Sequence, residues 1–394
     1  MSHQLINHSP DLKKLRDEGY EVEIRSGYLL ISHVPYLNSK QEIKFGTLVS
    51  ELTIAGERTG KPNTHVIHFN GENPCEKSGE VISQIQHSNG DRKLAETITV
   101  NHSFSNKPAG GYNNYYDKIT RYIEIISAPV SSIDDSITAK SFKVIESEES
   151  DSVFEYIDTN SSRAEIVSIT DKLKEHNIAI IGLGGTGSYI LDFIAKTPVQ
   201  EIHLFDEDIF CQHNAFRTPG AASIQELNEQ PRKVNYLKTI YARMHKNVIP
   251  HPENINPSNI DIMSKMDFVF LSIDKSGIKN FLITKLEEYN VPFIDVGMRI
   301  EIAGDSLIGI LRATTSTENK RDHVRKNGRI PLSENDEEKV YSQNIQIAEL
   351  NALNAILAVI KWKKICGFYQ DLENEFNSTY TINVNMLLNE DHKA

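Results

Sequence analysis

The chain has 394 residues and a formal net charge of -12, a length that predicts two or three domains of roughly 100 to 200 residues each and a charge that argues against a nucleic-acid partner. No apolar run approaches the roughly 18 residues of a membrane span, and the opening MSHQLINHSPDLKK lacks the cationic-then-apolar form of a secretion signal, so no membrane association and a cytoplasmic location are expected. Three scattered cysteines, Cys75, Cys211 and Cys366, offer neither a disulfide framework nor the paired ligands of a zinc clamp, so no zinc is expected.

Residues 1–150 read as an N-terminal α+β domain. A first helix is predicted over Pro10–Glu18. Strand-like segments follow at Tyr20–Ile24, Tyr28–Ile31, Gly46–Ile54, Thr64–Phe69, Glu96–Asn101 and Tyr122–Ser127, and the polar turns between them suggest a mixed sheet with few helices. Cys75 follows an Asn-Pro turn at the end of the segment that begins at Thr64. His65 and His68 share no metal-site spacing and read as ordinary strand residues. The stretch His102–Tyr116, rich in Tyr, Gly and Asn, reads either as a turn packed on its own sheet or as a peptide-docking loop. The charged stretch Ser131–Ser152 is the expected boundary, and residues 153–176 supply a lead-in helix containing Arg163.

The second half, 153–394, opens on its most informative stretch. The apolar run Ile178–Ile181 enters Gly182-Leu183-Gly184-Gly185-Thr186-Gly187, and a helical pattern (Tyr189, Ile190, Phe193, Ile194) follows at once. This strand–turn–helix order suits a phosphate: glycines permit the tight turn and close backbone approach, and the helix N-terminus offers unpaired N–H donors. A second strand, Glu201–Phe205, ends in Asp206, where dinucleotide folds place a ribose-binding carboxylate. To this point NAD and ATP fit equally well. Asp208, then Asn214-Ala-Phe-Arg217, then Arg232-Lys233, and Asp274 after an apolar strand tip the balance. A hydride-transfer enzyme has no general use for these groups around its phosphates, whereas an enzyme that cleaves ATP does. Further on, Gly277–Tyr289 predicts a helix and Pro292–Gly297 a buried strand. Ile300–Ala313 predicts one or two strands bent at Gly304 and Gly309, Ser342–Cys366 a closing helix, and Tyr380–Leu387 a last strand. Alternating strands and helices predict an α/β, Rossmann-like, doubly wound and mostly parallel sheet.

The ordered set G-x-G-G-x-G, D-x-D, N-x-x-R, Lys and Asp, over roughly Ser162 to Gly367, resembles the core of the ThiF/MoeB and ubiquitin-activating-enzyme superfamily. The resemblance implies an adenylyltransferase that activates the C-terminal carboxylate of a small ubiquitin-like or sulfur-carrier protein, with ATP and Mg²⁺, as a homodimer. It implies that amides around Gly182, Gly184, Gly185 and Gly187 hold phosphates, Asp206 the ribose and Asp274 the Mg²⁺, that Asn214, Arg217 and Lys233 face the phosphoryl groups, and that Asp208 supports them. Two departures stand out. Arg232 intervenes between Pro231 and Lys233, so either cation could take the phosphate-facing place, and the Arg that the family carries before the first strand has only Arg163 as its counterpart. The segment where thioester-forming members carry their cysteine, here Arg312–Tyr341, contains no Cys. Residues 1–150 are similar, in order of elements alone, to ubiquitin-conjugating enzymes. On that reading Cys75 would be a nucleophile, and otherwise it is a structural residue. An NAD(P)-dependent oxidoreductase and a non-catalytic nucleotide-binding scaffold are the alternatives.

Overall fold

The computed structural model describes residues 2–146, 152–274, 276–332 and 345–389. The chain divides into two compact units, 1–145 and 146–394. The predicted stretches 147–151 and 333–344, which include part of the boundary, the end of the Arg312–Tyr341 segment and the start of the closing helix, lie outside the described residues.

The N-terminal unit is a six-stranded sheet in the order Glu21–Arg25, Tyr28–Leu37, Ile43–Glu51, Val66–Asn70, Ile98–Ser105 and Gln86–Ala95. Every pairing is antiparallel, so the sheet is not mixed. The short links Arg25–Tyr28 and Ala95–Ile98 leave no room for the crossovers that parallel pairing needs. Helix Pro10–Asp17 forms where predicted. Tyr122–Ser127, read from sequence as a strand, lies inside the helix Tyr115–Ser131, capped by the Asn114 side chain accepting from Asp117 N. Tyr115, Ile119, Tyr122, Ile126 and Val130 recur at three- and four-residue intervals, and all are buried. Their β-branched and aromatic character imitates a strand, while their spacing is helical. Tyr112 and Tyr115 are buried as well, so the tyrosine-rich stretch packs on its own domain. The edge strand Gln86–Ala95 was not anticipated. It is almost wholly exposed and polar, with irregular register, and so carries no alternation to read.

The C-terminal unit is built on one eight-stranded sheet. Its order is Val248–His251, Glu201–Phe205, Asn177–Ile181, Phe268–Leu271, Phe293–Ala303, Ser306–Ser316, Asn377–Thr381 and Met386–Asn389. The first five strands run parallel, and the last three add antiparallel. This is the expected Rossmann-like α/β fold, with an antiparallel extension in place of further parallel strands. The predicted bend at Gly304 is the turn of the long hairpin, at φ +61, whereas Gly309 stays within its strand.

Side chains alternate across the central strand, so its two faces build two cores. Ile178 and Ile180 pack with helices Gly185–Ile194 and Ala348–Ile365, burying Ile190, Leu191, Ala355 and Trp362. Ala179 and Ile181 pack the opposite face with Leu282, Ile283 and Leu286 of helix Ser276–Glu288. Strand order reverses between Asn177–Ile181 and Phe268–Leu271, and a doubly wound sheet opens a crevice at such a point, beyond the C-terminal ends of its strands.

Candidate active site

A cavity of about 280 Å³ lies at that crevice. Gly182, Gly184, Gly185, Asp206, Asp208, Arg217, Lys233 and Asp274 all line it. Of the residues singled out in the sequence, Gly187, Asn214, Arg163 and Arg232 are not among the lining residues.

The glycine turn is shaped by two close approaches. Gly182 sits at φ +90 with Ser272 O 2.3 Å from where a Cβ would be, so only glycine fits. Gly187 would place a Cβ 1.9 Å from Gly182 O, so its part is to let the helix close onto the turn. Gly184 has nothing within 4 Å of its Cβ direction and opens onto the cavity. The amides that begin helix Gly185–Ile194 have no side-chain cap. They are the donors such a turn presents to an anion.

Asp206 is buried and organises the neighbouring segment. Its Oδ2 accepts from Leu183 N at 2.7 Å and its Oδ1 from Asp208 N at 2.9 Å. Lys233, also buried, holds Asp208 Oδ2 at 2.6 Å and Asp206 Oδ1 at 3.4 Å. A carboxylate has about four acceptor sites, so Asp206 keeps capacity for a hydroxyl guest. The two neighbouring cations differ in placement: Lys233 enters the cavity, whereas the Arg232 guanidinium turns back to the Glu207 carbonyl.

Asn214 is buried one turn before Arg217. Its Oδ1 accepts from Cys211 N at 2.8 Å, and its Nδ2 has no acceptor among the described residues. Arg217 Nε is likewise buried without an acceptor. Burial pushes the Arg217 pKa down, against the pull of Asp274 and Asp208. Cationic and amide donors held without acceptors call for an anion. Arg163 is exposed at the end of the short helix Thr159–Arg163.

Sequence reading missed the wall supplied by the closing helix. Asn351 and Asn354 are buried on its inner face. Asn351 accepts from Thr186 Oγ1 at 2.9 Å, and Asn354 Nδ2 donates to Gly297 O at 3.1 Å. Two asparagines three apart among the apolar residues of the helix's first turns were the available signal.

The cysteines fare differently from the nucleophile reading. Cys75 belongs to the N-terminal unit, has no exposure, and its thiol contacts Asn73 O at 3.2 Å. Burial raises its pKa. A buried, protonated thiol is closed to an incoming acyl group, so this geometry contradicts a nucleophilic Cys75. Cys366 is pushed up to about 12 by burial at the end of the closing helix. Cys211 is partly exposed beside the glycine-rich cavity's Asn-x-x-Arg segment. Among the described residues no group of three or more His, Cys, Asp or Glu could hold a metal ion, and no helix is long and apolar enough to cross a membrane.

A doubly wound sheet with a glycine turn, a strand-end carboxylate and inward cations at its switch point defines a protein of the Rossmann-like α/β class, with a cavity shaped for an anionic ligand. Residues 149–387 match the model of the ThiF family, more than half of the chain, and the protein belongs to that family. Residues 10–159 match a domain of unknown function, DUF6791. The chain is similar to the tRNA threonylcarbamoyladenosine dehydratase of Haemophilus influenzae, with 27% identity over 32% of this chain and 49% of that protein. It is also similar to the ubiquitin-like modifier-activating enzyme 5 of Drosophila ananassae, with 21% identity over 34% of this chain and 37% of that protein. The chain thus spans about half or less of the curated relatives it matches. Among solved structures, E. coli MccB with MccA-N7isoASN aligns at TM-score 0.45 and 20% identity, covering 57% of this chain and 66% of that one. PaaA aligns at TM-score 0.44 and 16% identity, over 56% and 74%.

Proposed function

We propose that the protein is an ATP-dependent adenylyltransferase that activates the C-terminal carboxylate of a small ubiquitin-like or sulfur-carrier protein and releases pyrophosphate. The observation that carries this reading is the convergence of Arg217, Lys233 and Asp274 with the open glycine turn in one cavity. In the reaction a carboxylate oxygen of the partner attacks the α-phosphorus, and the bond from that phosphorus to the bridging oxygen of pyrophosphate breaks. The product is an acyl-adenylate. Negative charge grows on the equatorial and leaving oxygens, and Arg217 and Lys233 are fixed cations suited to meet it. Asp206 serves the ribose, Asp208 holds Lys233 in place, and Asn214 Nδ2 supplies a neutral donor beside Arg217.

Asp274 is an exposed carboxylate on the cavity wall. One carboxylate completed by phosphate oxygens and water is the usual setting for Mg²⁺ on a nucleotide, so the residues fit the ion. When bound, Mg²⁺ would neutralise charge on the departing pyrophosphate. We also infer a homodimer, supported by the exposed apolar residues Phe216, Ile356 and Ile360.

ATP–pyrophosphate exchange with Mg²⁺, tested against small ubiquitin-like proteins encoded beside the gene, is the direct test. Exchange that requires a free partner C-terminus is expected. Tight NAD binding with no exchange would instead establish an oxidoreductase, and silence in both assays a scaffold.

A further inference from the structure

The cavity spans four adjacent strands, from Asp206 and Lys233 at the Glu201–Phe205 end to Val296, Gly297 and Met298 within Phe293–Ala303, where that strand runs on past its parallel partner at Leu271. At about 4.8 Å per strand the two ends lie roughly 14 Å apart. With ribose and phosphates assigned to the first three strands, the Phe293–Ala303 end is left for the second reactant.

Two independent features mark that end. Asn354 lines it and is 1% exposed. Gly297 O can only accept, so the hydrogen bond from Asn354 Nδ2 fixes which way the amide is turned. The remaining atom, Oδ1, is a buried acceptor with no donor among the described residues. A buried acceptor of this kind asks for an N–H.

The second feature is charge. Asp295, with no exposure, is shared by Lys279 at 2.8 Å and Arg312 at 2.6 Å. Among the described residues neither cation pairs with a second carboxylate, so there two cations share one anion. Arg312 also donates to Thr314 Oγ1 at 2.6 Å, and its guanidinium lies against Gly297, where a Cβ would come within 2.6 Å of Nη2. Among the described residues, a residue of the cavity wall thus rests directly on a surplus positive charge in a poorly solvated setting, where such charge acts strongly.

We propose that Asn354 determines specificity for a peptide carboxylate: its Oδ1 accepts the backbone N–H of the substrate's last residue, while the Lys279–Asp295–Arg312 cluster draws the terminal carboxylate to that end. This rests on the adenylation reading and adds the group that tells a peptide terminus from a small acid without an adjacent amide. An acid of the second kind would leave Oδ1 unpaired, and sites built to bond an N–H reject partners lacking it.

The test uses two non-reactive mimics of the acyl-adenylate with the full chain: N-acetylglycyl-sulfamoyl-adenosine, and its acetoxyacetyl counterpart, in which an ester oxygen replaces the peptide N–H. Calorimetry should show the amide binding roughly ten-fold or more tightly to the wild-type protein. In Asn354→Ala the two should bind alike, with ATP affinity unchanged. Equal binding of the two mimics to the wild type overturns the role of Asn354 without any variant having to fold. A preference that persists in Asn354→Ala also overturns it. If ATP and both mimics fail to bind, the adenylation reading itself falls and this inference with it.

Discussion

Replacing two glycines of the same turn by alanine should separate packing from ligand binding. A Cβ at Gly187 would lie 1.9 Å from Gly182 O and 3.4 Å from Ser272 Cβ, so helix and turn must part by at least about 1.1 Å, since real contacts below roughly 3.0 Å are not found. The opposing atom is backbone and cannot swing aside. Overpacking of this sort costs about 1 to 3 kcal/mol, offset by up to about 1 kcal/mol from alanine's better helix propensity. Gly187→Ala should therefore lose about 1 to 2 kcal/mol, or roughly 2 to 8 °C in Tm for a unit of this size. Gly184→Ala differs: φ is -71 and its Cβ meets nothing within 4 Å. It should melt like the wild type, yet its new methyl group stands where a phosphate must approach the amide, and ATP affinity should fall about ten-fold or more. Thermal unfolding read beside calorimetric titration with ATP decides both. A Gly184→Ala protein that binds ATP normally would refute the idea that this backbone meets the phosphates, and an unshifted Tm in Gly187→Ala would refute the packing argument.

Other consequences are as definite. Arg217→Ala and Asp274→Ala should each slow pyrophosphate exchange by roughly 100 to 1000-fold while melting normally, and wild-type turnover in both would sink the site assignment. Native-state alkylation followed by mass spectrometry should modify Cys211 well before Cys75, and Cys75→Ser should leave any acyl transfer intact; a thioester-linked partner lost in that variant would restore Cys75 to the mechanism. Lys118 offers a test by pH. It has no exposure, donates to Ser50 Oγ at 2.9 Å and Thr64 O at 3.0 Å, and burial lowers its pKa to about 8. Between pH 8 and 10.5 the unfolded chain holds this proton and the folded one does not, so the contribution of Lys118 to stability rises with pH there, by about 3 kcal/mol in all. Urea unfolding of wild type and Lys118→Met across that window should show the rise only in the wild type, and parallel curves would contradict it.

Much of the C-terminal half could be read without coordinates because its signals are local. A phosphate-type turn must follow a strand and open a helix within a few residues, so glycine spacing and apolar runs declare it. The sequence likewise signalled the carboxylate at a strand end, the Asn-x-x-Arg segment and the fold class, since a parallel strand buried on both faces is apolar throughout. Tertiary structure decided what depends on direction and distance. It determined that Lys233 enters the cavity while adjacent Arg232 turns to a carbonyl, which no linear spacing encodes. It turned Tyr115–Ser131 into a helix whose β-branched residues had pointed to a strand, because burial against a sheet outweighs propensity. It closed Cys75 away from solvent, and it brought Asn354 from the far end of the chain to a cavity begun at Gly182. Residues more than 150 positions apart meet only through packing, and the sequence carries no local trace of such a meeting beyond an asparagine where an apolar residue would be expected.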